Sequence, residues 1–341
     1  MKIELFDGDT APESELRERY DFGCRMDAEM DPETPHEPYE AWLKHMRTKS
    51  TFYDTLRWVV RDNGALVASA YLGLSRADDN RHLCRGDATV APEYRRQGIG
   101  AGLLAEMVDA AEADGRTVFG TGTVQGHESE QFLKAMGLEQ KLLDRRSRLH
   151  IDQIPEGMLD QWIADAAVKA AGYSLVTIDK KVQPEYRERF IDVLNAMNDA
   201  PREGLDREDE FVTMEQLEDW ERQTEETGGE DSFLVVMHDE SGDFAGYTGI
   251  EWRPELPSVL WQGGTAVKAA HRGHAIGRWL KAANLAAVLE KNPEARFVDT
   301  WNAGSNKWML AINDELGFAP YIWYTAWQGK TADIKASLAA K

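Results

Sequence analysis

The feature that most constrains this chain is a turn that occurs twice, each time between a strand and a helix. The first copy runs Ala88-Thr89-Val90-Ala91-Pro92-Glu93-Tyr94-Arg95-Arg96-Gln97-Gly98-Ile99-Gly100, and a weaker copy starts 177 positions later, at Thr265. Beyond the first turn Ile99, Leu103, Met107 and Ala111 recur every four residues, so one face of the helix is apolar. Gly98, Gly100 and Gly102 keep side chains away from the helix start. Free N–H groups and the positive end of the helix dipole there suit an anion such as a pyrophosphate.

The elements around the turn repeat with it. Strand Lys2–Gly8, helices Glu13–Met30 and Pro38–Thr48, and strands Arg57–Asp62, Ala65–Leu74 and His82–Ala91 precede the first turn. Asn63-Gly64 joins two of them as a hairpin. After the first helix come strand Thr117–Gly122, helix Glu128–Ala135 and a strand pair ending near Ile151. The second half repeats the order: strand Tyr173–Ile178, helices Pro184–Asn198 and Met214–Thr227, strands Ser232–His238, Phe244–Trp252 and Ser258–Val267. Helix His274–Glu290, strand Arg296–Trp301, helix Asn306–Glu315 and the strands of Phe318–Trp327 complete it. The order β-αα-βββ-αβ-αββ is used twice. Two domains are therefore expected, 1–152 and 173–329, joined by a linker helix in 153–172 that belongs to neither and followed by a loosely ordered tail, 330–341. The fold class is α/β, with a mixed α+β sheet in each domain.

Composition narrows the partners. A net charge of −21 disfavours nucleic acid and anionic membranes, since both need a basic face. Two cysteines, Cys24 and Cys84, make no disulfide framework, and no apolar run is long enough to span a bilayer. The expectation is a soluble, cytoplasmic protein, monomer or homodimer, with a small-molecule partner. The acidic balance would attract a cationic one.

Val90-x-Pro-x-x-Arg95-Arg96-Gln97-Gly98-Ile99-Gly100 resembles the acyl-CoA pyrophosphate loop of the GNAT acetyltransferase superfamily. Val267 through His271-Arg272-Gly273-His274-Ala275-Ile276-Gly277 is a second match, with Ala275 replacing a glycine. The tandem architecture is similar to the group that includes mycothiol synthase. The resemblance implies acetyl-CoA as cofactor and direct transfer to an amine. It places the cofactor against Ala88, Thr89, Val90, Arg95, Arg96, Gln97, Gly98, Ile99 and Gly100, and against Thr265, Ala266, Val267, Arg272, Gly273, His274, Ala275, Ile276 and Gly277. It also implies that the strand before each loop splays from its neighbour to hold the pantetheine arm. Ala275 is expected to cost little, provided its φ is negative.

The family's Asn element near the domain end falls on Asn306, with Asn302 one strand end earlier; the usual tyrosine acid falls on Asn313. In the first copy the same count meets Gly126, Ser129 and Leu133, so the second domain is expected to be catalytic and the first a cofactor binder. Transfer to an amine needs a carboxylate to take its proton. The family position for it is Gln262, which cannot serve; Glu251 is the substitute, Asp299 a further candidate, and Asp87 the counterpart in the first domain. His271 and His274 suit the phosphate side or the surface. Tyr324 and Tyr321 can donate a proton from the last strands. Thirteen acids against two arginines between Glu203 and Asp231 suggest a funnel for a cationic amine, a metabolite or an antibiotic, with Trp220, Trp252, Trp261, Trp301 and Trp308 as an aromatic wall. No His/Cys cluster has metal-ligand spacing. The rival reading is a non-catalytic acyl-CoA-binding module, in which both sites have decayed.

Overall fold

The computed structural model describes residues 1–340. The chain forms β1 (Lys2–Leu5), α1 (Glu13–Met30), α2 (Tyr39–Arg47), β2 (Tyr53–Asp62), β3 (Ala65–Ser75), β4 (Leu83–Val90), α3 (Ile99–Ala113), β5 (Val118–Val124), α4 (Ser129–Ala135) and β6 (Glu139–His150). It continues with α5 (Met158–Lys169), β7 (Tyr173–Asp179), α6 (Arg187–Leu194), α7 (Met214–Thr227), β8 (Glu230–His238), β9 (Phe244–Trp252), β10 (Val259–Val267), α8 (Ile276–Lys291), β11 (Phe297–Ala303), α9 (Lys307–Leu316), β12 (Ala319–Lys330) and α10 (Thr331–Ala339). The mixed α/β class and the repeated element order are as expected.

In the first unit β1 to β4 are antiparallel neighbours and β4 runs parallel to β5. The β2–β3 hairpin turns at Asn63 (φ 48°) and Gly64 (φ 90°), the pair of positive φ values that a tight two-residue turn requires. Strand alternation then sorts the side chains. Trp58 and Val60 pack with Leu72, Phe119, Leu103, Met107 and Ala111 under α3, while Val59 and Leu66 pack with Leu16, Phe22 and Met26 of α1. The second unit repeats this, with β7 to β10 antiparallel and β10 parallel to β11.

The compact units are not contiguous in sequence, unlike the halves expected. The first comprises Met1–Leu143, Arg202–Asp209 and the residues from Trp323 onward; the second comprises Asp144–Pro201 and Glu210–Ile322. Each half ends in one long strand rather than a strand pair, and that strand serves the other unit. Tyr324–Lys330 of β12 pairs antiparallel with β5, and Asp144–His150 of β6 pairs antiparallel with β11. Burial explains the exchange. Trp327 of β12 and Ile334 of α10 are buried in the first core, whereas Leu149 of β6 lies in the second with Leu260 and Val298. Arg146 and Arg148 of β6 close on Asp299 of β11: Arg148 donates to both carboxylate oxygens at 2.8 Å, and Arg146 Nε donates at 3.2 Å.

Two further expectations change. The tail is ordered, because α10 packs on α3 and Lys335 pairs with Asp109 and Glu112 at 2.8 Å. The linker helix α5 belongs to the second unit, where Trp162 and Ala166 are buried with residues of α8. The segment 202–209 folds onto the first unit: Asn80 and Glu208 exchange hydrogen bonds of 3.0 and 2.8 Å, and the Asp206 amide donates to Gln328 at 2.7 Å.

Removing one partner of a buried ion pair leaves an uncompensated charge and costs about 3–5 kcal/mol. Asp299→Ala strands two buried guanidiniums, so urea unfolding should show a loss of that size. A loss under 1 kcal/mol would mean that the cluster does not hold β6.

Candidate active site

Both turns take the same backbone path, with the glycines exchanged. In the first, the left-handed residues are Arg96 (φ 62°) and Gly98 (φ 84°); in the second, Gly273 (φ 90°) and Ala275 (φ 59°). Each loop thus carries one glycine and one L-residue at positive φ. Ala275 does not have the negative φ expected, so its methyl is strained rather than neutral. The first bonds within the helices are Gly102 N–H to Gly98 and Trp279 N–H to Ala275, which leaves the amides of residues 99–101 and 276–278 free at the positive helix ends. A Cβ on Gly98 would meet nothing, whereas one on Gly102 would stand 2.9 Å from Ile3. Gly98 therefore serves the loop and Gly102 the packing.

Arg95 and Arg272 have matched structural tasks. Each donates Nε to the valine carbonyl that ends the preceding strand, Val90 or Val267, at 3.1 Å. Arg95 is further committed to Glu29 and Glu128, and Arg272 to Asp199. Arg96 and Gln97 at the first loop, and Arg272 and His274 at the second, are exposed side chains. His271 is engaged by the Tyr173 hydroxyl at 3.0 Å, and burial followed by the nearby His238 and Lys268 lowers its pKa.

Ahead of each loop the parallel strands part as expected. Pairing of β4 with β5 stops at Arg85↔Gly120, and pairing of β10 with β11 stops at Gln262↔Thr300, although all four strands run on. The gaps flank Gly86–Val90 and Gly263–Val267. In the second unit a bulge against β9 falls between Gln262 and Thr265, whereas the β3–β4 ladder is unbroken. Gly264 is required at the bulge, since a Cβ would come 2.6 Å from the Tyr247 hydroxyl. Gln262 braces it by donating to Gly249 O at 2.6 Å and to Thr248 at 3.0 Å.

The proposed proton-handling residues do not all converge. Glu251 stands on β9 between Asp231 of β8 and Trp261 of β10. Glu251 is exposed on that face of the sheet. Lost hydration, then repulsion from Asp231, raises its pKa against the pull of Arg253. Asp299 is excluded as a base by its two arginines. Asn313 is fully buried and donates to Asn302 at 2.7 Å, while its own Oδ1 is buried without a partner. Asn306 caps α9 by accepting from Met309 N–H. Tyr324 sits opposite Val124 at the end of β5, in the first unit and not the second.

The acidic stretch is mostly spoken for. Glu221 pairs with Arg187, Asp219 and Glu226 with Arg222, Glu225 with Lys181, Glu230 with Lys180 and Asp209 with Arg202. Of the tryptophans, Trp308 and Trp301 are exposed while Trp252 is buried in the core. Among the described residues no helix is long and apolar enough to cross a membrane.

A constellation missed at the sequence level lies in the first unit. Arg57, Tyr71 and Asp87 face one another across β2, β3 and β4, and Thr89, Val124 and Tyr324 follow on the same face. Asp87 accepts from the Ala88 amide at 2.9 Å, and the crowding of its cleft raises its pKa. The signal was the outward position of polar residues on three adjacent strands, which becomes visible only once the register is known.

Residues 54–139 match the acetyltransferase (GNAT) domain model. A tandem GNAT protein from the clavulanic acid biosynthesis pathway, solved without acetyl-CoA, is 25% identical, with 97% of this chain and 98% of that one aligned at a TM-score of 0.75. A GCN5-related N-acetyltransferase from Sphaerobacter thermophilus shares the fold at 14% identity, 97% and 95% coverage and a TM-score of 0.67. The N-acetyltransferase region of a fungal multi-domain β-N-acetylglucosaminidase does so at 13% identity and 0.64, over 96% of this chain and 38% of that one. No curated protein matches. Residues 54–139 carry a GNAT acetyltransferase domain, and the chain over nearly its whole length is similar to a tandem GNAT protein. That domain supports an acyl-CoA-dependent N-acyltransferase activity.

An L-residue in the left-handed region is disfavoured by about 1 kcal/mol relative to glycine. Ala275→Gly should therefore raise stability by about 0.5–1 kcal/mol in chemical denaturation. A destabilised variant would contradict the strained loop.

Proposed function

We propose that the protein transfers the acetyl group of acetyl-CoA to an amine by direct attack in a ternary complex, with the chemistry in the second unit. The observation that carries this reading is Glu251, a carboxylate of raised pKa on the strand beside the β10 bulge. Acetyl-CoA would supply the activated acyl group, with its phosphates on the free amides of 276–278 and its arm in the gap beside Gly263–Val267. The amine arrives protonated, and Glu251 takes a proton to give the free base. The nitrogen would then bond to the thioester carbon as the C–S bond breaks, and the second nitrogen proton would pass to the departing thiolate, which leaves as the CoA thiol. Amides freed at the bulge are suited to hold the carbonyl oxygen as it gains charge. A thiolate leaves readily, so the burial of Asn313 does not remove the reaction.

Asp231 and Glu251 are cross-strand neighbours, and burial raises the pKa of Asp231 as well, against the hydrogen bond from Thr224. Two carboxylates favour a cationic amine, which keeps that acceptor class for this unit even though the acids of residues 203–230 are largely paired. A small-molecule acceptor is in keeping with the neighbour from the clavulanic acid biosynthesis pathway. The loops support acetyl-CoA in both units equally well.

Glu251 must be ionised to act, and its pKa is raised. The kcat/KM for a diamine, followed as free thiol, should therefore rise with pH along a limb lying above the ordinary glutamate value of 4.5. Glu251→Gln should lower kcat/KM by about 10²-fold or more and abolish that limb. Full activity in the variant would overturn the assignment. Tight acetyl-CoA binding without thiol release for any amine would instead favour a non-catalytic acyl-CoA module.

A further inference from the structure

The two clefts differ in charge. In the second unit the row begins with two carboxylates, Asp231 and Glu251, but in the first it begins with a cation. Arg57 on β2 stands beside Tyr71 on β3, and Tyr71 beside Asp87 on β4. Arg19 and Asp27 of α1 overlook this row. Arg19 feels the charges of both Arg57 and Asp27, and Asp87 feels that of Asp27. Arg85, two residues before Asp87, acts on Tyr53, Tyr71 and Asp87.

Among the described residues Arg19, Arg57 and Arg85 have neither an ion pair nor a side-chain hydrogen bond. Arg61, Arg76, Arg95 and Arg116 in the same unit each hold a carboxylate. The acid nearest Arg57 in charge is Asp9, which is paired with Lys49. Arg19 and Arg57 are half-buried, so their mutual repulsion is poorly screened. In a chain with 60 acidic against 39 basic residues, neutralising them would have been easy. Guanidiniums that form no ion pair, set beside Asp87, match a ligand that carries both an anion and a cation. A guanidinium fork also fits the two oxygens of a carboxylate better than any other anion of one charge.

We propose that the first unit's cleft is a binding site for a zwitterionic amine of the amino-acid type, with its carboxylate held by Arg19 and Arg57 and its ammonium by Asp87. Tyr71 forms the wall between the two charges. This site is separate from the acetyl transfer proposed for the second unit, and it stands on binding alone.

The test is calorimetric titration of the full chain, without acetyl-CoA, against the common L-amino acids. The best binder is then compared with its decarboxylated amine and its N-acetyl derivative. The expected result is saturable binding of at least one amino acid, at least tenfold weaker for both derivatives. Arg57→Gln and Arg19→Gln, each checked for a native melting temperature, should each weaken it at least tenfold. Binding of no amino acid, equal binding of the decarboxylated amine, or unchanged binding in both variants would overturn the proposal. Binding without any acetylated product would leave this site intact and count only against acetyl transfer to that ligand.

Discussion

The organisation of this molecule depends on how β5 and β11 are covered at their outer edges, and the Asp299 cluster shows the second case at atomic detail. A buried carboxylate held by Arg146 and Arg148 admits one register of β6 against β11. A slip of one residue would turn both arginines to the opposite face, where Leu149 now meets the core. Aromatic rings complete the seat, with Phe297 and Tyr321 within 4 Å of the Arg148 guanidinium. The desolvation cost of such a cluster makes it a poor source of net stability and a good source of specificity. In the first unit the equivalent edge is covered by apolar means, through Trp327 and α10.

Covering these edges matters for function because the opposite edges are left open. β5 and β11 leave β4 and β10 midway, and the gap created is where a ligand backbone can lie. A strand that parts from one neighbour keeps its position only if its other neighbour holds it firmly. The exchanged strands do that in each unit. The loops that follow are built from one glycine and one strained L-residue each, and their arginines tie them back to the strand end. Phosphate binding is thus left to backbone amides, and Arg96 and His274 stay exposed.

Much of this was legible in the sequence. The repeated glycine turn, the Asn63-Gly64 hairpin and the four-residue apolar period identified the elements, because each depends on local chemistry. The gap between parallel strands followed from the family resemblance. The exchange did not, since β6 and β12 have the same apolar alternation whichever sheet they join. That is why Tyr324 was placed in the wrong unit and why α10 was taken for a loose tail. Asp299 and Asn313 looked available because sequence cannot show burial. Ala275 was misjudged because φ follows from the path of the loop and not from the residue. The row Arg57, Tyr71 and Asp87 needed three registers at once.

The central claim is that each gap and its amide-lined turn form an acyl-CoA groove. A crystal structure with a non-hydrolysable acetyl-CoA analogue tests it most directly. The account predicts phosphates on the amides of residues 99–101 or 276–278, and the arm alongside Gly86–Val90 or Gly263–Val267. Analogue bound elsewhere, with both gaps closed, would contradict it.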